Sequence, residues 1–220
     1  MTRRMVIFAN GELHPGPFVD RVLAEAASPD VPLIAADGGL RHVEVLGLTA
    51  HAVIGDMDSV DEETLARHAA RGAAILRYPS QKDETDLELA LRYAAEQGAD
   101  WLRIIGGMGG RLDQTLANVL LLILPLCDGR DVRLVAGGQA AWIMQPGEHV
   151  LHGAVEDTLS LIPLGGDAAG VSTGGLRYPL RDETLRFGAA RGISNVFVEP
   201  VATVRLRAGV LLAVHTLGRA

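Results

Sequence analysis

The sequence predicts an α/β protein in two parts: a doubly wound, mostly parallel sheet with helices on both faces, then an antiparallel β-sandwich or half-barrel. Three observations carry this. Over the first 137 residues, short apolar runs alternate with helical patterns. After Gly137-Gly138 the helical period disappears, and short alternating runs separated by glycines replace it. Finally, 48% of residues are hydrophobic but only 4% aromatic. The core must then be built from Ala, Val, Leu and Ile, as suits α/β architecture and argues against disorder.

Taken in order, the apolar runs are Met5-Ala9, Val31-Ala36, Ala52-Ile54, Ala74-Tyr78, Leu102-Ile105 and Val132-Val135. Each is short and continuously apolar or β-branched-rich, as strands covered on both faces should be. Helical patterns fill the gaps at Phe18-Ala27, Asp61-Arg71, Thr85-Gln97 and Leu112-Leu124. Repeated strand-helix-strand units imply parallel strands joined by right-handed crossovers. The later runs are Ala141-Met144, Thr158-Ile162, Gly170-Leu176, Thr184-Phe187, Val196-Glu199, Ala202-Arg207 and Val210-Thr216, with Gly147, Gly165-Gly166, Gly174-Gly175 and Gly209 as punctuation. Strands at this spacing suggest an antiparallel sandwich. The expected domains are therefore 1–137 and 138–220.

Composition excludes several function classes. A formal charge of -7 without any Lys/Arg block is a poor match for nucleic acid or an anionic membrane. Such a protein can still hold a polyphosphate if a divalent cation stands between them. One cysteine, Cys127, rules out an internal disulfide framework and reads as a buried, inert thiol. The N-terminal apolar run is too short for a signal peptide or a span, as is Leu116-Leu126, so we expect a cytoplasmic protein.

Four segments place carboxylates or glycines just after a strand, where ligands bind in a doubly wound sheet. They are Ala36-Asp37-Gly38-Gly39, Gly55-Asp56-Met57-Asp58-Ser59, Lys82-Asp83-Glu84-Thr85-Asp86 and Gly106-Gly107-Met108-Gly109-Gly110-Arg111-Leu112-Asp113. Singly, each has a structural reading: a turn, a helix cap at Asp56 or Ser59, a cap at Asp83, a flexible loop. Together they bring Asp37, Asp56, Asp58, Asp83, Asp86 and Asp113 to one edge of one sheet. So many carboxylates repel unless a cation or shifted pKa values compensate. Oxygen donors with no His or Cys beside them favour Mg²⁺ over Zn²⁺. With Lys82 and Arg111 in the same loops, this is an inventory for phosphoryl transfer. The glycine loop fits neither the P-loop nor the dinucleotide fingerprint. None of the seven histidines shows zinc spacing, and His152 reads as an exposed turn residue.

The ordered set A-D-G-G (Ala36-Gly39), G-D-M-D-S (Gly55-Ser59), K-D-E-T-D-x-E-x-A-L (Lys82-Leu91) and G-G-R-x-D-x-x-x-A-N (Gly109-Asn118) resembles the signature of the thiamine pyrophosphokinase family. In the second half, G-V-S-T-x-G-L-x-Y-P-L at Gly170-Leu180 and G-I-S-N at Gly192-Asn195 resemble that family's thiamine-binding domain. One departure is Gln114, where many bacterial members carry His; it argues against a histidine base there.

The resemblance implies an α/β nucleotide-binding catalytic domain over 1–137 and a thiamine-binding β-sandwich over 138–220. It also implies a homodimer with thiamine bound between subunits. The implied reaction is Mg²⁺-dependent transfer of diphosphate from ATP to the hydroxyl of thiamine. Asp58, Lys82, Asp86, Arg111 and Asp113 are then the expected catalytic residues, with Asp56, Asp58, Asp83 and Asp86 around the metal. Asp37, Gly38, Gly39, Asp56, Gly107, Gly109, Gly110, Gln114 and Asn118 are expected to bind the nucleotide. Ser172, Thr173, Ser194 and Asn195 are candidates for the aminopyrimidine, with turn and bulge roles as the alternative. Asp113 is open between holding Arg111, positioning the hydroxyl and acting as base, and Trp142 reads as core before aromatic platform. Two rival functions use the same residues: a metal-dependent nucleotide pyrophosphohydrolase, and a catalytically silent thiamine- or nucleotide-binding protein.

Overall fold

Six apolar runs become strands of one parallel sheet. In the computed structural model, which describes residues 2–219, the chain divides into two compact units after Gly137. The first unit holds β1 (Arg4–Phe8), β2 (Leu33–Ala36), β3 (Ala52–Gly55), β4 (Ala74–Arg77), β5 (Trp101–Ile105) and β6 (Asp131–Ala136). Their order across the sheet is β4-β3-β2-β1-β5-β6, every pair parallel. Every residue of β2 and β3 is buried, as expected of strands covered on both faces. The chain leaves β1 towards β2, β3 and β4, then returns to place β5 on the other side of β1. That reversal opens a crevice beyond the carboxyl ends of β1 and β5.

Five helices join these strands: α1 (Pro17–Ala26), α2 (Leu40–Val45), α3 (Glu62–Ala70), α4 (Asp86–Glu96) and α5 (Leu112–Leu121). The six residues of α2 are too few to display a helical period, and the sequence reading contains no helix there. On α4, Leu87, Ala90, Leu91 and Ala94 are buried, the i, i+3, i+4, i+7 stripe of a helix lying on a sheet. Asp61 caps α3, its Oδ1 accepting from the Thr64 N–H at 2.8 Å, and Thr85 caps α4, its Oγ1 accepting from the Glu88 N–H at 3.2 Å. The capping readings of Asp56, Ser59 and Asp83 therefore fail, because neighbouring residues already cap both helices. Cys127 is buried, and burial pushes its thiol up to about 11, so it is not a thiolate at neutral pH. Among the described residues no helix is long and apolar enough to cross a membrane.

The second unit is antiparallel throughout: β7 (Gln139–Met144), β8 (Gly147–His152), β9 (Thr158–Gly174), β10 (Glu183–Leu185), β11 (Asn195–Val196), β12 (Val201–Leu206) and β13 (Ala208–Thr216). The sequence reading expects two strands, Thr158-Ile162 and Gly170-Leu176, split by a turn at Gly165-Gly166. Instead one 17-residue strand runs through. Its first half pairs with β13 and β11, its last residues with β12. Gly165 and Gly170 take positive φ, 71° and 70°, and let the strand bend without ending. β8, absent from the sequence reading, pairs along the whole of β12. Its exposed last residue, His152, is therefore a strand end rather than a turn. Trp142 is buried in β7.

Asp157, just before β9, ties three segments together. Its carboxylate accepts from the Ala154 N–H, the Gly218 N–H and His215 Nε2, each at 2.8 Å. The Phe197 ring lies 5.3 Å from the His215 ring, and both Asp157 and His215 are buried. Burial pushes the Asp157 carboxyl up, but the Gly218, Ala154 and His215 bonds outweigh it and hold it below its ordinary value. A depressed carboxyl pKa contributes stability above the unfolded value of about 3.9, lost as pH falls through the lower folded value. We predict that Asp157→Asn lowers stability by about 3 kcal/mol at pH 7, measured by chemical denaturation. The gap between variant and wild type should narrow below about pH 4; a gap independent of pH would contradict the assigned ionisation.

Candidate active site

At the carboxyl edge of the parallel sheet, the loops after β1 to β5 converge on a cleft of about 880 Å³ within the first unit. The loop after β1 is strapped to the glycine loop after β5. Ala9 N–H donates to Ile105 O, Gly11 N–H to Gly106 O and Glu12 N–H to Met108 O, at 2.7 to 2.9 Å. After β2, Asp37 turns at φ 44°, an uncommon conformation for a residue with a side chain. It is buried, and its Oδ1 has no hydrogen-bond partner among the described residues. Gly38 and Gly39 lie beneath it: a Cβ on Gly39 would overlap the Phe8 carbonyl oxygen, and one on Gly38 the Asn10 side chain. These two glycines pack the turn against β1 and do not line the cleft.

The loop after β3 brings in Asp56 and Asp58. Met57 between them takes φ 65°, and Asp58 N–H donates to Asp56 Oδ1 at 3.3 Å. Asp37, Asp56 and Asp58 each offer a carboxylate oxygen, all within 4.8 Å of one another. Lys82 Nζ lies 3.1 Å from Asp86 Oδ1 and 3.9 Å from Asp56 Oδ2. Asp86 Oδ1 is buried, and its partner is the Lys82 ammonium. Burial raises the Asp86 carboxyl above its ordinary value; Lys82 works against this, and Asp37 and Asp56 add to it. Asp37 is buried, Asp56 and Asp86 are half-buried and Asp58 is exposed, and carboxylates brought this close favour a cation beside them.

On the β5 side, Gly106, Gly109 and Gly110 take positive φ of 72°, 92° and 71°. Arg111 presents its guanidinium to Asp113, with Nε to Oδ1 at 3.1 Å and Nη2 to Oδ2 at 2.5 Å. This bond holds the Asp113 carboxyl below its ordinary value, so Asp113 is ionised and poorly suited as a base at neutral pH. Asn118 Nδ2 donates to Gly107 O at 2.8 Å, fixing the start of the glycine loop.

The cleft thus brings together Asp37, Asp56, Asp58, Lys82, Asp86, Gly107, Gly109, Gly110, Arg111, Gln114 and Asn118. Gly38, Gly39 and Asp113 do not line it, and Asp83 is exposed outside it. In the second unit, Ser172 Oγ accepts from Asp182 N–H and Thr173 Oγ1 from Leu180 N–H, both at 2.9 Å. Asn195 bonds the backbone of Tyr178 through both amide atoms. Ser194, at φ 56°, donates its N–H to Ser160 Oγ at 3.0 Å. Ser172, Thr173 and Asn195 thus use their side chains to hold backbone, whereas Ser194 is held through its main chain by Ser160. Cleft residues that the sequence reading misses include Asn10, Gly11, Glu12, Arg41 and Ser80. The rule that flags Asp37 also flags residues 10–12, since they too follow a strand. Arg41 carries no local signal, because α2 is too short to recognise.

Comparison with known proteins agrees with this fold. The thiamin pyrophosphokinase catalytic domain matches residues 25–134, and the thiamin pyrophosphokinase vitamin B1 binding domain matches residues 148–211. The thiamine pyrophosphokinase of Bacillus subtilis is 29% identical over 184 residues, 83% of this chain and 86% of the relative. Thiamine pyrophosphokinase 2 of Arabidopsis thaliana is 29% identical over 68% of this chain but only 59% of its own length. Among solved structures, the Bacillus subtilis thiamine pyrophosphokinase superposes with a TM-score of 0.86 at 27% identity, covering 97% of this chain and 99% of that one. The Geobacillus thermodenitrificans thiamin pyrophosphokinase gives a TM-score of 0.82 at 26% identity, covering 96% of each chain. The chain belongs to the thiamin pyrophosphokinase family.

Proposed function

We propose that this chain acts as a thiamine pyrophosphokinase: the primary hydroxyl of thiamine attacks the β-phosphorus of ATP, and AMP leaves. The observation that carries the reading is the cleft, which gathers Asp37, Asp56, Asp58 and Asp86 with Lys82 and Arg111 over a glycine loop. The match of residues 148–211 to a vitamin B1 binding domain supports thiamine as the acceptor. A nucleotide pyrophosphohydrolase would have no use for that domain, and a bare binding protein would not need so many carboxylates.

The donor set fits Mg²⁺: oxygen ligands only, three carboxylates within reach of one ion, and a buried Asp37 oxygen left unpartnered. The metal set we propose is Asp37, Asp56 and Asp58, with Asp86 beside it and Asp37 taking the place expected for Asp83. Bound there, Mg²⁺ would supply charge neutralisation and orientation of the phosphates. Lys82 would turn from Asp56 and Asp86 towards phosphate oxygens. Arg111 would offer its planar fork, oriented by Asp113. The amides around Gly107 to Gly110 can approach phosphates closely because no Cβ intervenes. Positioning of this kind provides most of the catalysis in phosphoryl transfer.

The proposal includes cytoplasmic residence and a homodimer with thiamine between subunits. Leu112, Leu116 and Leu120 of α5 lie at i, i+4 and i+8 and are 73%, 56% and 54% exposed. An apolar stripe of this kind on one helix supports an interface.

Three outcomes are expected. Protein incubated with thiamine, ATP and Mg²⁺ should yield thiamine diphosphate and AMP by mass spectrometry; EDTA should abolish this, and Asp58→Asn should lower kcat about 100-fold or more. ADP or free phosphate without a thiamine adduct would overturn the reading. Arg111→Ala should weaken ATP use about tenfold or more, seen in steady-state kinetics, and an unchanged kcat/KM would remove Arg111 from the phosphate site. Light scattering should report twice the 23.3 kDa chain mass, and Leu120→Glu should shift the protein to the single-chain mass.

A further inference from the structure

The cleft contains three cations, and they are not equivalent. Lys82 faces Asp86 and Asp56, and Arg111 is forked onto Asp113. Arg41, in the first turn of α2, also lines the cleft. Its Nη2 donates to Asn10 O at 2.7 Å and Gly11 O at 2.9 Å. Among the described residues it has no carboxylate within ion-pair distance. Two neutral carbonyls therefore fix the orientation of the guanidinium but leave its charge uncompensated.

The mounting is reinforced from below. The adjacent residue, His42, is buried and donates from Nε2 to the same Gly11 O at 2.8 Å. A Cβ on Gly106 would come within 3.3 Å of its ring. Arg41 and His42 thus clamp the loop after β1 to α2, with the strapped glycine loop alongside. We propose that Arg41 is a further substrate-binding residue: a preorganised subsite for polyphosphate oxygens of the nucleotide. Lys82 must leave its carboxylates to reach a phosphate, and Arg111 brings a charge already partly neutralised by Asp113. Arg41 has no such partner to leave, so its unpaired charge acts from the first encounter with an anion. In a cleft dominated by carboxylates, that makes it a determinant of nucleotide affinity.

This inference rests on the reading that the cleft holds ATP, and the test separates the two. ATP with Mg²⁺, and inorganic pyrophosphate with Mg²⁺, are titrated calorimetrically into wild type, Arg41→Ala, Arg41→Gln and Arg41→Lys. Kinetic constants for ATP and thiamine are measured in parallel. Gln keeps a donor for the carbonyls but no charge, whereas Lys keeps charge but loses the fork. Expected are a loss of about tenfold or more in affinity for both ligands with Ala and Gln, partial recovery with Lys, and a raised KM for ATP with KM for thiamine within about twofold. Wild-type affinity in Arg41→Gln would assign Arg41 to loop anchoring alone and overturn the subsite. Wild-type affinity in Arg41→Ala would overturn it outright. A wild-type protein that binds neither ligand would overturn the ATP reading itself, and the subsite with it.

Discussion

How closely backbone can approach backbone at one edge of the parallel sheet governs everything in the first unit. The turn after β2 lies directly on the end of β1, where a side chain at Gly39 would overlap the Phe8 carbonyl oxygen. At Gly55, a Cβ would fall 2.9 Å from the Asp37 Cβ and 3.1 Å from the Asp86 carboxyl. With larger residues at these points, the ends of β1, β2 and β3 would separate and the carboxylates would disperse. Glycine here is a spatial requirement, because only its missing Cβ lets three loops share one volume.

That convergence has an electrostatic cost which shapes the remaining residues. Asp37 carries an unpartnered buried oxygen, and Asp86 holds its proton more tightly than a free carboxyl, first through burial and then through its acidic neighbours. Lys82 offsets part of this. A divalent cation would offset the rest, and it would also let an anionic polyphosphate enter a site of like sign. The cations grade from Lys82, held between two carboxylates, through Arg111, forked to one, to Arg41, which rests on carbonyls alone.

The second unit solves a different problem. Its long central strand, β9, must serve two sets of neighbours, and glycines at positive φ let it change partners along its length. The segments that join the strands are held by polar side chains: Asp157 with His215, Asn195 with Tyr178, Thr173 with Leu180. These bonds replace the packing that a short loop cannot provide for itself.

From the sequence alone came the alternation of strands and helices, the change of texture after Gly137, and the ordered motifs that identify the family. These are local or serial properties. A covered strand is apolar throughout, a helix on a sheet repeats every three to four residues, and a motif keeps its order in the chain. The tertiary structure decided which of the flagged residues meet. Asp37 joins Asp56 and Asp58 because β2 lies beside β3, whereas Asp83, four residues before Leu87, stays exposed outside the cleft. Thr85 and Asp61 take the caps that Asp83 and Asp56 offered on spacing alone, since capping depends on where the first turn begins. Arg41 becomes part of the cleft only because β1 stands between β2 and β5, bringing the loop after one strand under the helix after another. Strand order is a property of long-range pairing, and no window of sequence around Arg41 contains it.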